Sequence, residues 1–358
     1  MAYIKLKRKS LSHNFDYLKE KLASKNIAWG VVSKILCGNK LYIQELLNLG
    51  VKEIHDARIS NLQIIKELDP SIQTVYIKPP AKNAIQKIVR FADVSFNTEL
   101  ETIKCLSEEA KRQERKHKVI IMVEMGDLRE GVLGDELLKF YEEVFELPNI
   151  LITGIGTNLN CLHGVMPSQD KLIQLCLYKQ LIELKFNRKI QWVSGGTSVV
   201  LPLLLSNQLP SGINHFRVGE MLYFGTNLFT NKLEKGLKDD VFTLYAQIIE
   251  LTEKPKIPTG ELAPNPSGEE FEIKEEDIGK KSFRAIIDLG LLDISPDYLI
   301  PVQKDIETIG ASSDMIVIDL GNTRKNYKVG DWLKFKLKYM GALRLLNSNY
   351  IDKVVDDK

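Results

Sequence analysis

Short apolar runs return eight times between residues 27 and 220, alternating with stretches whose apolar residues recur at three- and four-residue steps. The runs are Ile27–Lys34, Val51–Arg58, Thr74–Pro79, Val94–Glu99, Lys118–Gly126, Ile150–Leu159, Ile190–Gly196 and Asn214–Glu220. Between them lie segments such as "KLYIQELLNLG" and "ETIKCLSEEAKRQERKHK", the second closing on a charge run that suits a solvated helix face. Eight strand-then-helix units over about 200 residues are what a (β/α)8 TIM barrel requires. An open doubly wound sheet is the rival, but it usually has fewer strands and often a Gly-rich fingerprint after the first. Here the first run ends "SKILCGN", and "GIGTNL" at Gly154 lacks the third glycine. The barrel is the expectation.

After Gly225 the texture changes. "FTLYAQIIEL", "SFRAIIDLG", "DMIVIDLG" and "WLKFKLKYMG" read as strands, separated by turn-rich segments such as "PTGELAPNPSGEEF". The fold class is therefore α/β, with a barrel expected over residues 1–228 and a mostly β domain over 229–358. Met1–Ser10 alternates apolar and charged residues, which suits a strand and lacks the apolar core of a signal peptide. No apolar run approaches the roughly 18 residues of a membrane span. Cys37, Cys105, Cys161 and Cys176 are scattered without zinc or disulfide spacing, so a reducing cytoplasm is expected. A net charge of +2 gives no basic field for nucleic acid or an anionic membrane, leaving a small molecule as the expected partner.

In such barrels chemistry sits at the C-terminal strand ends. The first run, "IAWGVVSK", delivers Lys34 there. A strand-end lysine ordinarily snorkels to water; one held among apolar residues has a desolvated ammonium and reaches its nucleophilic form more easily. The second run delivers His55, Asp56 and Arg58, the fifth Asp127, Arg129 and Glu130, and the sixth Asn158, Asn160, Cys161 and His163. The seventh ends in "SGGTS" and the eighth in "HFRVGE". Phosphate sites in these barrels are frequently built after strands seven and eight, where clustered N–H groups favour an anion, and Thr197 and Ser198 stand there. A lysine and a phosphate site on one mouth point to pyridoxal 5′-phosphate. A sugar-phosphate aldolase shares the pattern but more commonly carries its lysine on a later strand.

"VVSKILCGN", "GVKEIHDARISNLQ", "MVEMGDLREGV", "GIGTNLNC", "VSGGTSVVLPLLLS", "GINHFRVGE" and "GASSD", in this order and spacing, resemble the ornithine racemase branch of the alanine racemase family. The resemblance runs through nearly the whole chain. It implies a pyridoxal-phosphate enzyme with an N-terminal barrel and a C-terminal β domain. Lys34 then matches the lysine that holds the cofactor as an internal aldimine and acts as one base, and Arg129 matches an arginine at the cofactor's phenolic oxygen. Asn158 stands where the broader family has a histidine beside the ring. Thr197 and Ser198, with the amides of Gly219 and Glu220, fall at the phosphate, and Tyr339 in "FKLKYMG" matches a phosphate-binding tyrosine of the second domain. Arg217 aligns with the arginine facing the pyridine nitrogen. An arginine there stays positive and donates, so the nitrogen remains unprotonated and the ring is a weaker electron sink, which suits racemisation over transamination. A salt bridge from Arg217 to Glu220 or Asp56 is the structural alternative.

Two family tyrosines are missing. Leu291 aligns with the tyrosine that supplies the second base, and Gly38 replaces one four residues past the lysine. Racemisation through two groups on opposite faces of the α-carbon needs another residue. Cys161 is the named candidate, because a thiol of lowered pKa exchanges protons near neutrality; a small buried hydrophobe is its ordinary role. His163, Ser312, Ser313 and Asp314 are the other candidates. Asp293 and Asp314 could meet the terminal ammonium of an ornithine or lysine substrate, and either could equally be a turn residue. The family resemblance also implies a homodimer whose active sites are shared between subunits. The expected function is a racemase of ornithine or another basic amino acid. The alternatives are a protein that only carries the cofactor and a decarboxylase on the same fold.

Overall fold

The computed structural model describes residues 2–356 apart from 266, 267, 269, 305 and 322–326. Strand β1 (Tyr3–Leu6) and helix α1 (Arg8–Ala23) open the chain. Eight parallel strands follow: β2 (Ala28–Val32), β3 (Glu53–Asp56), β4 (Gln73–Tyr76), β5 (Val94–Asn97), β6 (His117–Met122), β7 (Ile150–Gly156), β8 (Trp192–Thr197) and β9 (His215–Val218). They close into a barrel in that order, with β9 pairing back onto β2 through Ala28 to His215 and Gly30 to Arg217. Between them run α2 (Lys40–Asn48), α3 (Ile59–Leu68), α4 (Ile85–Phe91), α5 (Leu100–Arg112), α6 (Leu137–Phe145), α7 (Gln169–Phe186) and α8 (Leu201–Leu205), and α9 (Glu220–Phe224) follows the last strand.

All eight expected strands are present, each a little shorter than its apolar run. The polar residues that close a run have left the ladder for the loop, which is where a barrel places its reactive groups. One side of the barrel interior is apolar, built on Val75, Val94, Phe96, Ile120 and Met122. Glu53, His55, Ser194, His215 and Arg217 are buried as well, so the centre is partly polar.

The chain divides into two units, residues 8–241 and residues 2–7 with 242–356. The crossing lies at Val241, later than the expected 228, and the reason is local. Residues after β9 form a short hairpin, β10 (Thr226–Asn227) with β11 (Lys232–Leu233), and are then fastened to α1. The buried Asn14 amide donates to the carbonyls of Leu222 and Lys238, its oxygen accepts from Lys238 N, and Ser10 Oγ donates to Asp240. The first strand belongs to the other unit: β1 pairs antiparallel with β12 (Phe242–Pro255) and parallel with β18 (Asp352–Val355). That sheet also holds β13 (Lys281–Ile287), β14 (Leu299–Pro301), β15 (Glu307–Ala311), β16 (Ile316–Asp319) and β17 (Trp332–Leu337), ordered β14-β17-β12-β13-β16-β15. Helix α10 (Tyr339–Asn347) follows β17, where the sequence reads as a strand continuing into "KYMG". Among the described residues no helix is long and apolar enough to cross a membrane.

Candidate active site

Strand β2 ends at Val32, and Lys34 begins a single tight turn, Lys34–Leu36. The turn is held from below: Ser33 Oγ donates to buried Asp56 at 2.8 Å, and Asp56 also accepts from the Arg58 amide and Asn61 Nδ2. Burial raises the Asp56 carboxyl above its ordinary range. Lys34 itself is exposed, so the expected desolvation of its ammonium is corrected: the apolar run stops two residues before it. The loop continues through Cys37 at φ 50° and Gly38 at φ 75°. A Cβ on Gly38 would stand 2.7 Å from Asn61 Oδ1, so this loop path has no room for the missing tyrosine.

Near the end of β8, Gly196 takes φ 139°, and a Cβ there would lie 2.6 Å from Val200. This glycine lets the chain pass Thr197 and enter the turn Ser198–Val200. Ser198 is buried, and its Oγ accepts from the amides of Gly219 at 3.2 Å and Met221 at 3.1 Å. Glu220, whose amide is expected with that of Gly219 at the phosphate, stands between these two donors in the chain. Those two N–H groups are spent in fixing Ser198 Oγ, so the donor that this anion cradle offers is the Ser198 hydroxyl proton. Burial raises the carboxyl of Glu220, which opens α9, while the charge of Lys34 opposes the shift. Lys34 and the cradle therefore share one end of the barrel.

Arg217 is buried in β9. Its Nη1 donates to Ser194 Oγ at 2.6 Å and its Nη2 to the Thr157 carbonyl at 2.7 Å and Asn158 Oδ1 at 3.5 Å. The guanidinium lies over the Phe96 ring, 5.1 Å from its centroid. The alternative salt bridges to Glu220 and Asp56 are absent from its hydrogen-bond partners. Burial pushes its pKa down to about 10, which leaves it charged at neutral pH. Asn158 Nδ2, beside it, is buried with no hydrogen-bond partner.

Asp127 was passed over in the sequence as one polar residue among several. Its buried carboxylate accepts the amides of Cys161, Leu162, His163 and Val165 at 3.0–3.3 Å, and its carbonyl meets His163 Nδ1 at 2.9 Å. Burial pushes this carboxyl upward, but the amides outweigh it and hold it below its ordinary value. The loop after β7 is thus tied down, presenting an exposed Cys161 within electrostatic reach of Arg129 and Arg217. Arg129 is clamped to the neighbouring Glu130 carboxylate, which raises its already high pKa.

The remaining expected residues lie in the β unit. Tyr339 is the first residue of α10. Asp293 and Asp314 sit on two loops pressed together, with Leu291 N donating to Ser312 O at 2.9 Å and Leu292 N to Ser313 O at 3.0 Å. Each carboxylate makes a local bond, Asp293 with Gly290 N and Asp314 with Ser313 Oγ. Both act as turn residues, and Leu291 lies on the first of these loops.

A closed (β/α)8 barrel with a lysine after its first strand and an anion cradle after its last two, carried on one chain with an antiparallel β unit, defines the class of protein. The chain belongs to the alanine racemase family: residues 6–227 match the family's N-terminal domain, "Alanine racemase, N-terminal domain". It is 35% identical to the ornithine racemase of Acetoanaerobium sticklandii over 344 residues, 96% of each chain. It is 30% identical to the lysine racemase of Thermotoga maritima over 348 residues, 97% of this chain and 96% of that one. Among solved structures, the alanine racemase of Bartonella henselae with covalently bound pyridoxal phosphate matches 99% of each chain at a TM-score of 0.75 and 17% identity, a likeness of fold.

Proposed function

We propose that this protein is a pyridoxal-phosphate-dependent racemase of a basic amino acid, with ornithine as the first substrate to test, acting as a homodimer. The observation that carries the reading is Arg217: a buried, charged donor at the barrel mouth, beside an Asn158 amide left with an unused N–H. The residues present fit pyridoxal phosphate. The Ser198 hydroxyl, fixed in place by the Gly219 and Met221 amides, keeps its own proton to donate to the phosphate, with Thr197 and Glu220 beside it, and Lys34 opens onto the same end of the barrel. The ornithine and lysine racemase relatives support a basic side chain on the substrate.

When bound, the cofactor supplies an electron-withdrawing ring that makes the α-hydrogen of an amino acid acidic. Lys34 would hold the cofactor through Nζ, and that amine would take or return the proton on one face of the α-carbon. Arg217 would face the ring nitrogen as a donor that cannot accept a proton from it, which would favour an unprotonated, weaker electron sink. Asn158 Nδ2 and Arg129 supply further donors toward the ring, and Tyr339 toward the phosphate. Cys161, held by the Asp127 knot among positive charges, serves as acid and base on the opposite face. Asp293 and Asp314 offer carboxylates for a terminal ammonium.

The test is proton NMR with chiral chromatography of L-ornithine incubated with cofactor-loaded protein in D₂O. Loss of the α-proton signal with D-ornithine rising toward an equal mixture is the expected result. In Cys161→Ala the α-proton should still exchange while inversion falls by about 100-fold or more, the scale of losing one acid–base group. Exchange with retention in the wild type would overturn the racemase, and silence with ornithine, lysine, arginine and alanine alike would leave only a cofactor-binding protein.

A further inference from the structure

Inside the barrel, below the mouth, a chain of hydrogen bonds runs from Arg217 to a buried carboxylate. Arg217 Nη1 reaches Ser194 Oγ at 2.6 Å, Ser194 Oγ lies 2.9 Å from His215 Nδ1, and His215 Nε2 lies 2.8 Å from Glu53 Oε1. Glu53 Oε1 also meets His55 Nε2 at 2.6 Å, and its other oxygen accepts from Gln73. The direction of each bond follows from chemistry. An arginine only donates, so the Ser194 oxygen accepts from it; with His215 neutral and its one N–H given to the Glu53 carboxylate, Nδ1 is an acceptor and takes the Ser194 proton. His215 then carries its own proton on Nε2 and donates it to Glu53. Every donor points toward Glu53.

Two further observations show a built arrangement. A Cβ on Gly30 would collide with the His55 ring and stand 2.6 Å from Glu53 Oε1, so a glycine on β2 opens the space the cluster fills. The His215 ring is clamped between Trp192, stacked at 4.4 Å and 15°, and His55, at 5.6 Å and 26°. Arg217 is fully buried, yet no carboxylate among its hydrogen-bond partners balances its charge. The carboxylate whose charge acts on it is Glu130, outside its hydrogen bonds, while Glu53 is the buried anion that the chain of bonds connects to it.

We propose that Glu53, His215 and Ser194 are positioning residues that orient Arg217, so that its remaining donor meets the ring nitrogen of the cofactor. They act through Arg217 and touch no reacting atom. The inference rests on the placing of Arg217 against that nitrogen in the reading above. Glu53 and His215, together with His55, bring their ligand atoms within 4.8 Å of one another, a spacing that could also hold a divalent cation. A cation would displace both imidazole-to-carboxylate bonds and set a second positive centre at the far end of the chain from Arg217, so the relay is the better assignment.

The test uses the cofactor-loaded protein labelled with ¹⁵N at histidine and arginine. His215 should show the Nε2–H tautomer with an unprotonated Nδ1, and the Arg217 Nη protons should be resolved by hindered rotation. Ser194→Ala should coalesce those Nη signals and lower kcat for racemisation about tenfold, the scale of losing an outer partner, with KM and cofactor affinity within about twofold. Glu53→Gln should do the same and also release His215 into mixed tautomers. If Glu53→Gln does not fold, Ser194→Ala decides. Unchanged kcat in a folded, loaded Ser194→Ala protein would overturn the proposal. So would His215 protonated on both nitrogens, or a stoichiometric metal bound at the cluster. Should the wild type racemise nothing, the nitrogen spectra still report on the relay, while the D₂O experiment reports separately on the function.

Discussion

Asp127 illustrates what one carboxylate does when four backbone amides converge on it. Charge-assisted bonds of this kind are worth about 1.5–3 kcal/mol each when a partner is lost, and here they determine the path of the loop that carries Cys161. Asp127→Ala should speed hydrogen exchange at the Cys161, Leu162 and His163 amides by at least about tenfold, taking only some 1.4 kcal/mol as lost, and lower racemase activity through the loosened thiol. Unaltered exchange would mean that the loop holds itself. Lys34, Ser198 and Arg217 stand out in the sequence because each lies at or just past a strand's end, and a strand's end is a local signal. The Asp127 knot and the relay below Arg217 were not readable: aspartate, serine, histidine and glutamate are ordinary surface residues until the chain brings them together across 21 to 162 positions.

At the scale of elements, the eight barrel strands were legible because a strand buried on both faces must be apolar throughout, and that is visible in a few consecutive residues. Two elements were not. Helix α10 follows a strand without a break in hydrophobicity, and β1 finds its partners at the other end of the chain. Ile4, in β1, is fully buried. Ile4→Ala should cost about 2–5 kcal/mol in denaturant unfolding, as core truncations do, whereas an N-terminal strand that merely decorates the fold would lose less than about 0.5 kcal/mol. In β2, Gly30→Ala should destabilise by about 3 kcal/mol or more, since a methyl there overlaps His55. Gly310→Ala in β15, where a Cβ meets nothing within 4 Å, is the matching control and should change stability by about 0.5 kcal/mol or less.

For the whole molecule, buried histidines set an acid limit. Burial holds the pKa of His117 down to about 4, with the charge of Arg115 adding to the effect, and its Nε2 lies 2.8 Å from Ser95 Oγ. Burial lowers His55 in the same direction. The unfolded chain, with histidine near 6.5, binds more protons than the folded one between pH 6.5 and 4. Stability is therefore complete above pH 6.5 and falls as the pH drops toward 4, by about 3 kcal/mol from His117 at 1.36 kcal/mol per pH unit. Urea midpoints at pH 7.5 and 4.5 should differ accordingly, and His117→Gln should remove much of the difference. Parallel curves for variant and wild type would assign the acid sensitivity elsewhere.

The sequence by itself determined the barrel, the β unit that follows it, the lysine and the anion cradle at the strand ends, and the family. All of these rest on patterns carried by neighbouring residues or by their order along the chain. Only the tertiary structure decided that Lys34 stands in water, that Ser198 meets the Met221 amide, that residues 2–7 join the far unit, and that Arg217 is tied to Glu53. Hydrogen bonds and burial depend on which distant segments share a place, and barrel closure settles that when β9 pairs with β2.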